Sequence, residues 1–92
     1  MQISLKLIMS SIVSQPLDFV KLLLDCSVYI KLKGNREILG KLEGFDQHCN
    51  MILSNAEETI TSLVDNQTTT TKNKSPMMFI RGDGIVLVSG KQ

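Results

Sequence analysis

Residues 26–45 read CSVYIKLKGNREILGKLEGF. The first part alternates. Val28, Ile30 and Leu32 fall on one side, and Ser27, Tyr29, Lys31 and Lys33 on the other, which is the period-two mark of a half-buried strand. Gly34 and Asn35 follow. Both tolerate positive φ, so they predict a tight hairpin. Arg36 to Phe45 predicts the returning strand, and its apolar pattern runs across Gly40 from Ile38 to Leu42. Glycine inside a strand marks a sharp bend or a close backbone approach, so Gly40 and Gly44 predict a strongly curved sheet.

Downstream, Asp46 to Asn50 breaks the pattern and predicts a loop. Met51 to Leu63 predicts a third strand, with Met51, Leu53, Ile60 and Leu63 among its apolar positions. Asp65 to Ser75 reads DNQTTTTKNKS, which predicts a solvated surface loop. Pro76 to Arg81 and Ile85 to Ser89 predict two last strands, joined by a turn at Gly82-Asp83-Gly84. Both are almost continuously apolar, so they need cover on both faces. At a sheet edge such strands template association, and pairing with another chain would satisfy them.

Upstream, Pro16 to Asp25 predicts a short helix. Proline suits a first helical turn, Asp18 complements the dipole, and Leu17, Val20 and Leu24 keep helical spacing. Residues 1–15 read as an N-terminal extension whose order the residues leave open, and 16–90 as one domain. The extension is apolar, but Lys6 interrupts it and no small-residue cleavage site follows. The expected architecture is mainly β: an N-terminal short α-helix followed by a five-stranded, strongly bent antiparallel sheet, or small open barrel.

Composition narrows the function. The 92 residues carry a formal net charge of +1, whereas a protein that grips nucleic acid by backbone charge is usually basic. Any nucleic-acid binding should use a compact, base-contacting pocket. Cys26 and Cys49 lack metal-ligand spacing and read as reduced thiols. One histidine, with no nucleophile, base and orienter in sight, gives no basis for catalysis. No catalytic residue, metal site or cofactor is expected.

At this point the residues resemble a known family. REILGKL at 36–42 with DQHCNMIL at 46–53, and FIRGDGIVLV at 79–88, are similar to the two sequence motifs of the Sm-like (LSm) proteins. Finer features, PLD at 16–18 and EETI at 57–60 among them, resemble the third subunit type of that family's eukaryotic heptamer. The resemblance implies an Sm-like fold and a ring in which the fourth strand of one subunit pairs with the fifth of the next. It implies other Sm-like subunits as partners, together with single-stranded uridine-rich RNA and no membrane. Self-assembly of the isolated chain stays open. The family's third subunit belongs to two heteroheptamers. A nuclear one holds the 3′ end of U6 small nuclear RNA for pre-mRNA splicing, and a cytoplasmic one binds mRNA 3′ ends in decay.

The resemblance also places an RNA-binding site on this chain, at His48, Asn50, Arg81 and Gly82, supported by Asp46 and Asp83. His48 would stack on a base. Asn50 would read the base edge, since an amide both donates and accepts. Arg81 would close the other face by cation–π contact, and Gly82 would let the backbone come close to the ligand and adopt angles that other residues cannot. Asp46 would hold the loop amides. Asp83 stands where asparagine is common in the family, so direct RNA contact by it is not expected. Each residue also has a plainer reading: an exposed loop histidine, a turn asparagine, and an arginine paired with Asp83. A purely structural ring subunit, or a homo-oligomeric ring with little RNA contact of its own, is the alternative function.

Overall fold

The chain doubles back at Gly34-Asn35 because both residues adopt left-handed backbone, with φ of 81° and 59°. That twist matches the strands it joins. The computed structural model describes residues 6–8 and 20–90. Six strands form one antiparallel sheet: β1 (Lys6–Ile8), β2 (Ser27–Leu32), β3 (Arg36–Phe45), β4 (Met51–Val64), β5 (Gln67–Ile80) and β6 (Ile85–Gly90). Their order across the sheet is β1-β6-β2-β3-β4-β5. The predicted hairpin keeps its register, from Leu32 opposite Arg36 to Ser27 opposite Lys41.

Most of the predicted helix, with Pro16 and Asp18, lies outside the described residues. Among the described residues Val20 and Lys21 are helical, and a turn carries the chain to Cys26. Val20 and Leu23 are buried. The Leu42 carbonyl accepts from the Asp25 N–H at 2.8 Å, and the Leu42 N–H donates to the Cys26 carbonyl at 3.0 Å. This turn is thereby stitched to β3.

Curvature is built where the strands slip. Between Leu39 and Lys41 of β3 the register on β4 jumps from Glu57 to Ser54, so β4 carries one extra residue. Such bulges bend a strand and sharpen its twist. Asn55, inside that bulge, has φ 49°. A Cβ at Gly40 would stand 3.1 Å from the Ser54 carbonyl oxygen and 3.2 Å from Ala56 Cα. Gly40 therefore acts as the expected close approach. Gly44 lies at a second register shift, but with open space around its Cα hydrogen.

The curved sheet closes over an aliphatic core. Val28, Ile30 and Leu32 come from β2, Ile38 and Leu42 from β3, and Met51, Leu53 and Ala56 from β4. Ile80, Ile85 and Val88 complete it from the last two strands. Burying one such side chain contributes roughly 1.5–3 kcal/mol. Glu58 is the buried charged residue, and the Arg36 guanidinium pairs with it, its Nε donating at 2.9 Å.

Two expectations need correction. The Thr-rich stretch is not a loop: β4 runs on to Val64, Asp65 and Asn66 make the turn, and β5 begins at Gln67. Both turn residues have positive φ, 50° and 63°, so this is a tight hairpin and not an excursion. Thr68 to Thr71 are β-branched and suit extended backbone although they bury nothing. The second concerns the edge of the last strand, which was expected to need another chain for cover. Lys6 to Ile8 form a strand on the outer side of β6, so the last strand's edge is not bare.

Candidate nucleic-acid interface

Two connections meet at one end of the sheet. The first is the loop 46–50 between β3 and β4. The second is Arg81 with the 3₁₀ turn Gly82–Gly84 between β5 and β6. Asp46 organises the first. One of its carboxylate oxygens accepts the backbone N–H of His48 at 2.8 Å and that of Asn50 at 3.0 Å. Its other oxygen accepts the Asn50 side-chain amide at 2.9 Å. The Asp46 N–H donates to the Asn50 carbonyl at 3.1 Å. With three donors on the carboxylate, the side-chain amide first among them, its pKa is held below the ordinary 3.8.

Asn50 joins the two connections. Its Nδ2 donates to Asp46, and its Oδ1 accepts the Gly82 N–H at 2.7 Å. A donor-only partner at one end and an acceptor-only partner at the other fix which way the amide faces, an assignment that otherwise rests on inference. Each end keeps spare capacity: one N–H on Nδ2 and one lone pair on Oδ1. The amide can therefore offer a donor and an acceptor side by side.

Gly82 is needed for space. A Cβ there would run into the His48 carbonyl oxygen and stand 2.8 Å from the Cys49 carbonyl carbon. The approach expected at Gly82 was to the ligand; the one found is to the neighbouring loop's backbone. Positive φ is not the reason, since Gly34 is the positive-φ glycine among the described residues. Asp83 pairs with Arg81 at 3.1 Å, with both side chains largely exposed. That is the plainer reading of Arg81, and it coexists with the other one, because Arg81 also lines the recess.

His48, Asn50, Phe79, Arg81 and Asp83 line one shallow recess of about 330 Å³. The structure thus brings together the predicted ring, amide and guanidinium, with Asp46 behind them and Gly82 at the crossing. Phe79 is the residue that sequence reasoning missed. Its signal was positional: it lies on β5 two residues before Arg81, which continues the extended backbone just past the strand, hence on the same face, and it is 63% exposed. A second recess of about 370 Å³, lined by Lys33, Arg36, Phe79 and Arg81 among others, adjoins the first through these shared residues. Larger grooves elsewhere, such as the one at Asn55 and Pro76, lack an aromatic or a guanidinium.

Cys49 turns inward while its neighbour His48 stays exposed. Burial, and then the Asp46 charge, push its thiol pKa up, which keeps the sulfur protonated and unreactive. Among the described residues no group of His, Cys, Asp and Glu is placed to hold a metal ion, and no helix is long and apolar enough to cross a membrane.

Comparison with known proteins identifies the family. The LSM domain family matches residues 18–90. The Arabidopsis thaliana Sm-like protein LSM3B is 49% identical over 83 residues, covering 84% of this chain and 85% of that protein. The Schizosaccharomyces pombe LSM complex subunit lsm3 is 42% identical over 83 residues, covering 84% and 89%. Among solved structures, the Pyrococcus abyssi Sm protein in complex with a uridine heptamer superposes with a TM-score of 0.66 at 31% identity, covering 85% of this chain and all of that one. A heptameric archaeal Sm protein superposes at 0.63 with 29% identity, covering 82% and 98%. With the domain matched from its first buried turn to its last strand, the chain belongs to the LSM domain family as an Sm-like protein of the LSm3 type.

Proposed function

We propose that this chain is a subunit of a heteroheptameric Sm-like ring that binds the uridine-rich 3′ end of RNA. In that role it serves pre-mRNA splicing through U6 small nuclear RNA and cytoplasmic mRNA decay. The observation that carries the reading is the recess in which His48, Asn50, Phe79 and Arg81 converge. A uracil edge presents acceptor and donor groups side by side, and the anchored Asn50 amide has one of each to spare. The base would lie between the His48 ring and the Arg81 guanidinium. Stacking is worth roughly 1–3 kcal/mol per base, and imidazole, a small platform, falls at the low end.

One such recess holds one nucleotide weakly. A ring sets several of them around a common centre, and tethering turns weak contacts into useful affinity through effective concentration. A net charge of +1 fits that division of labour. Support for a ring comes from the heptameric archaeal relative, for uridine from the uridine-bound one, and for U6 RNA from the Dictyostelium discoideum relative described as probable U6 snRNA-associated LSm3.

The Arg81–Asp83 pair favours a second reading, a ring subunit with little RNA contact, because the guanidinium already has a partner. Photocrosslinking of an assembled ring to oligouridine separates the two. The RNA-contact reading expects a crosslink to this subunit that falls at least several-fold on Asn50→Ala. Equal crosslinking by both rings selects the structural role.

A further inference from the structure

The two ends of the sheet differ. β5 has no strand partner on its outer side among the described residues. β6, at the other end, is covered: β1 lies antiparallel on it, with Lys6 opposite Ser89, Leu7 opposite Val88 and Ile8 opposite Leu87. The covering strand comes from outside the segment that the LSM domain matches. One terminal edge of the domain is thus open, and the other is closed by the chain's own N-terminal extension.

This asymmetry bears on assembly, and the inference rests on the ring reading above. A ring of like subunits uses head-to-tail contacts, in which one surface meets a different surface of the next copy. An open sheet supplies two such surfaces as its terminal edges, and the unpaired backbone groups there template pairing with another chain. For the β5 edge of one subunit to extend the sheet of the next, it must take the place beside β6 that β1 holds. We propose that β1 is a competitor for the assembly edge. It caps β6 in the free subunit and is displaced when the β5 edge of a neighbouring Sm-fold chain adds to the sheet.

Lengths favour the exchange. β1 has three residues and leaves Ile85, Val86 and Gly90 of β6 without a partner on that side. β5 has fourteen. Met77 and Phe79 on β5 and Val86 on β6 are exposed apolar residues in the single chain, and a neighbouring subunit would give them cover. A tethered strand competes at a fixed effective concentration. It therefore opposes pairing most when partner subunits are scarce, and it lowers the binding-competent fraction without abolishing it.

The test uses the full chain carrying Leu7→Pro and Ile8→Pro. Successive N–H groups of a strand point alternately to its two sides, so the double change removes whichever donor faces β6. Leu7→Gly with Ile8→Gly is a milder second variant. Neither position lies in the binding recess. Two quantities are read: hydrogen exchange of the segment 85–90 at a dilution where sedimentation finds monomer, and the concentration of this chain at half-assembly with the other Sm-like subunits of its ring. The proposal expects faster exchange in both variants and half-assembly at a concentration lower by on the order of tenfold. Exchange that stays the same in wild type and variants overturns the cap, and if all three still assemble the ring reading survives. Faster exchange with no assembly by any of the three chains, even when the other Sm-like subunits are supplied, supports the cap and counts against the ring.

Discussion

Asn50 holds the interface together because one amide serves two connections and has a donor and an acceptor left over. Its orientation depends on Asp46, which supplies the first anchor. The Asp46 pKa is depressed in the folded chain, so its contribution is complete above the ordinary carboxylate range and is lost as pH falls through the lower, folded-state value. Oligouridine binding by the assembled protein should hold steady at neutral and mildly acidic pH and drop only in strong acid. In Asp46→Asn, binding should already be weak at neutral pH. A pH series of fluorescence-anisotropy titrations on both proteins would show it. Gly82 belongs to the same scale. Adding a methyl group drives it into backbone atoms of the neighbouring loop, which cannot swing aside as a side chain can. Gly82→Ala should destabilise by about 1–3 kcal/mol and weaken RNA binding as well, measured by urea unfolding and by anisotropy.

Among the elements, the β2–β3 hairpin offers a probe free of background. Tyr29 is the single tyrosine of the chain, and its hydroxyl donates to Glu37 at 2.5 Å. That hydrogen bond first, then burial and the Glu37 charge, raise its pKa from 10.0 to about 12. The stabilisation that goes with it is complete below 10.0 and lost as pH rises through about 12. Ultraviolet titration of tyrosinate should find a midpoint near 12 in the wild type and a clearly lower one in Glu37→Ala. The β4–β5 hairpin divides into two regimes. Met51 has no exposed surface, whereas Leu63 near the tip is 71% exposed. Met51→Ala should cost about 2–5 kcal/mol, and Leu63→Ser should stay within about 0.5 kcal/mol. Comparable losses in denaturant melts would mean that the tip is covered in solution.

For the whole molecule, the shallow recess at His48 and Arg81, which on the proposed function takes one nucleotide, and a sheet with one open end are incomplete in complementary ways. Binding of oligouridine should therefore rise with assembly and not with subunit concentration alone. Anisotropy followed across the assembly transition should show little binding below it and a steep gain above it, tracking the oligomer seen by sedimentation. Binding of the same strength by the monomer would mean that the recess works alone. The fold also sets what surrounds the site. The core is aliphatic and lies under β2 to β4, while the loops that carry His48 and Arg81 project from the sheet's end. Substitutions at the recess other than Gly82 should thus alter RNA binding with modest effects on stability.

Much of this was legible in the residues themselves. Alternation from Ser27 to Leu32 with Gly34-Asn35 determines the first hairpin, because side-chain period and positive φ are local properties. His48, Asn50 and Arg81 were named as candidate site residues by the resemblance to the family's two motifs, not by any local pattern. Other features depended on distant partners. Nothing local in TTTT distinguishes a solvated loop from a strand, and only the pairing of Thr68–Thr71 with Ile60–Leu63 across the Asp65-Asn66 turn decided it. Asn55 reads as an ordinary polar residue until β4 must bend around Gly40. Phe79 stands in an almost continuously apolar run, and its face is set by the register of β5 on β4. Met1 to Leu7 alternates apolar and polar residues, which suits a strand, but only the edge of β6 decides where Lys6–Ile8 pairs. Hydrogen bonds between strands join residues far apart in sequence, so register, edges and the meeting of two loops belong to the tertiary structure.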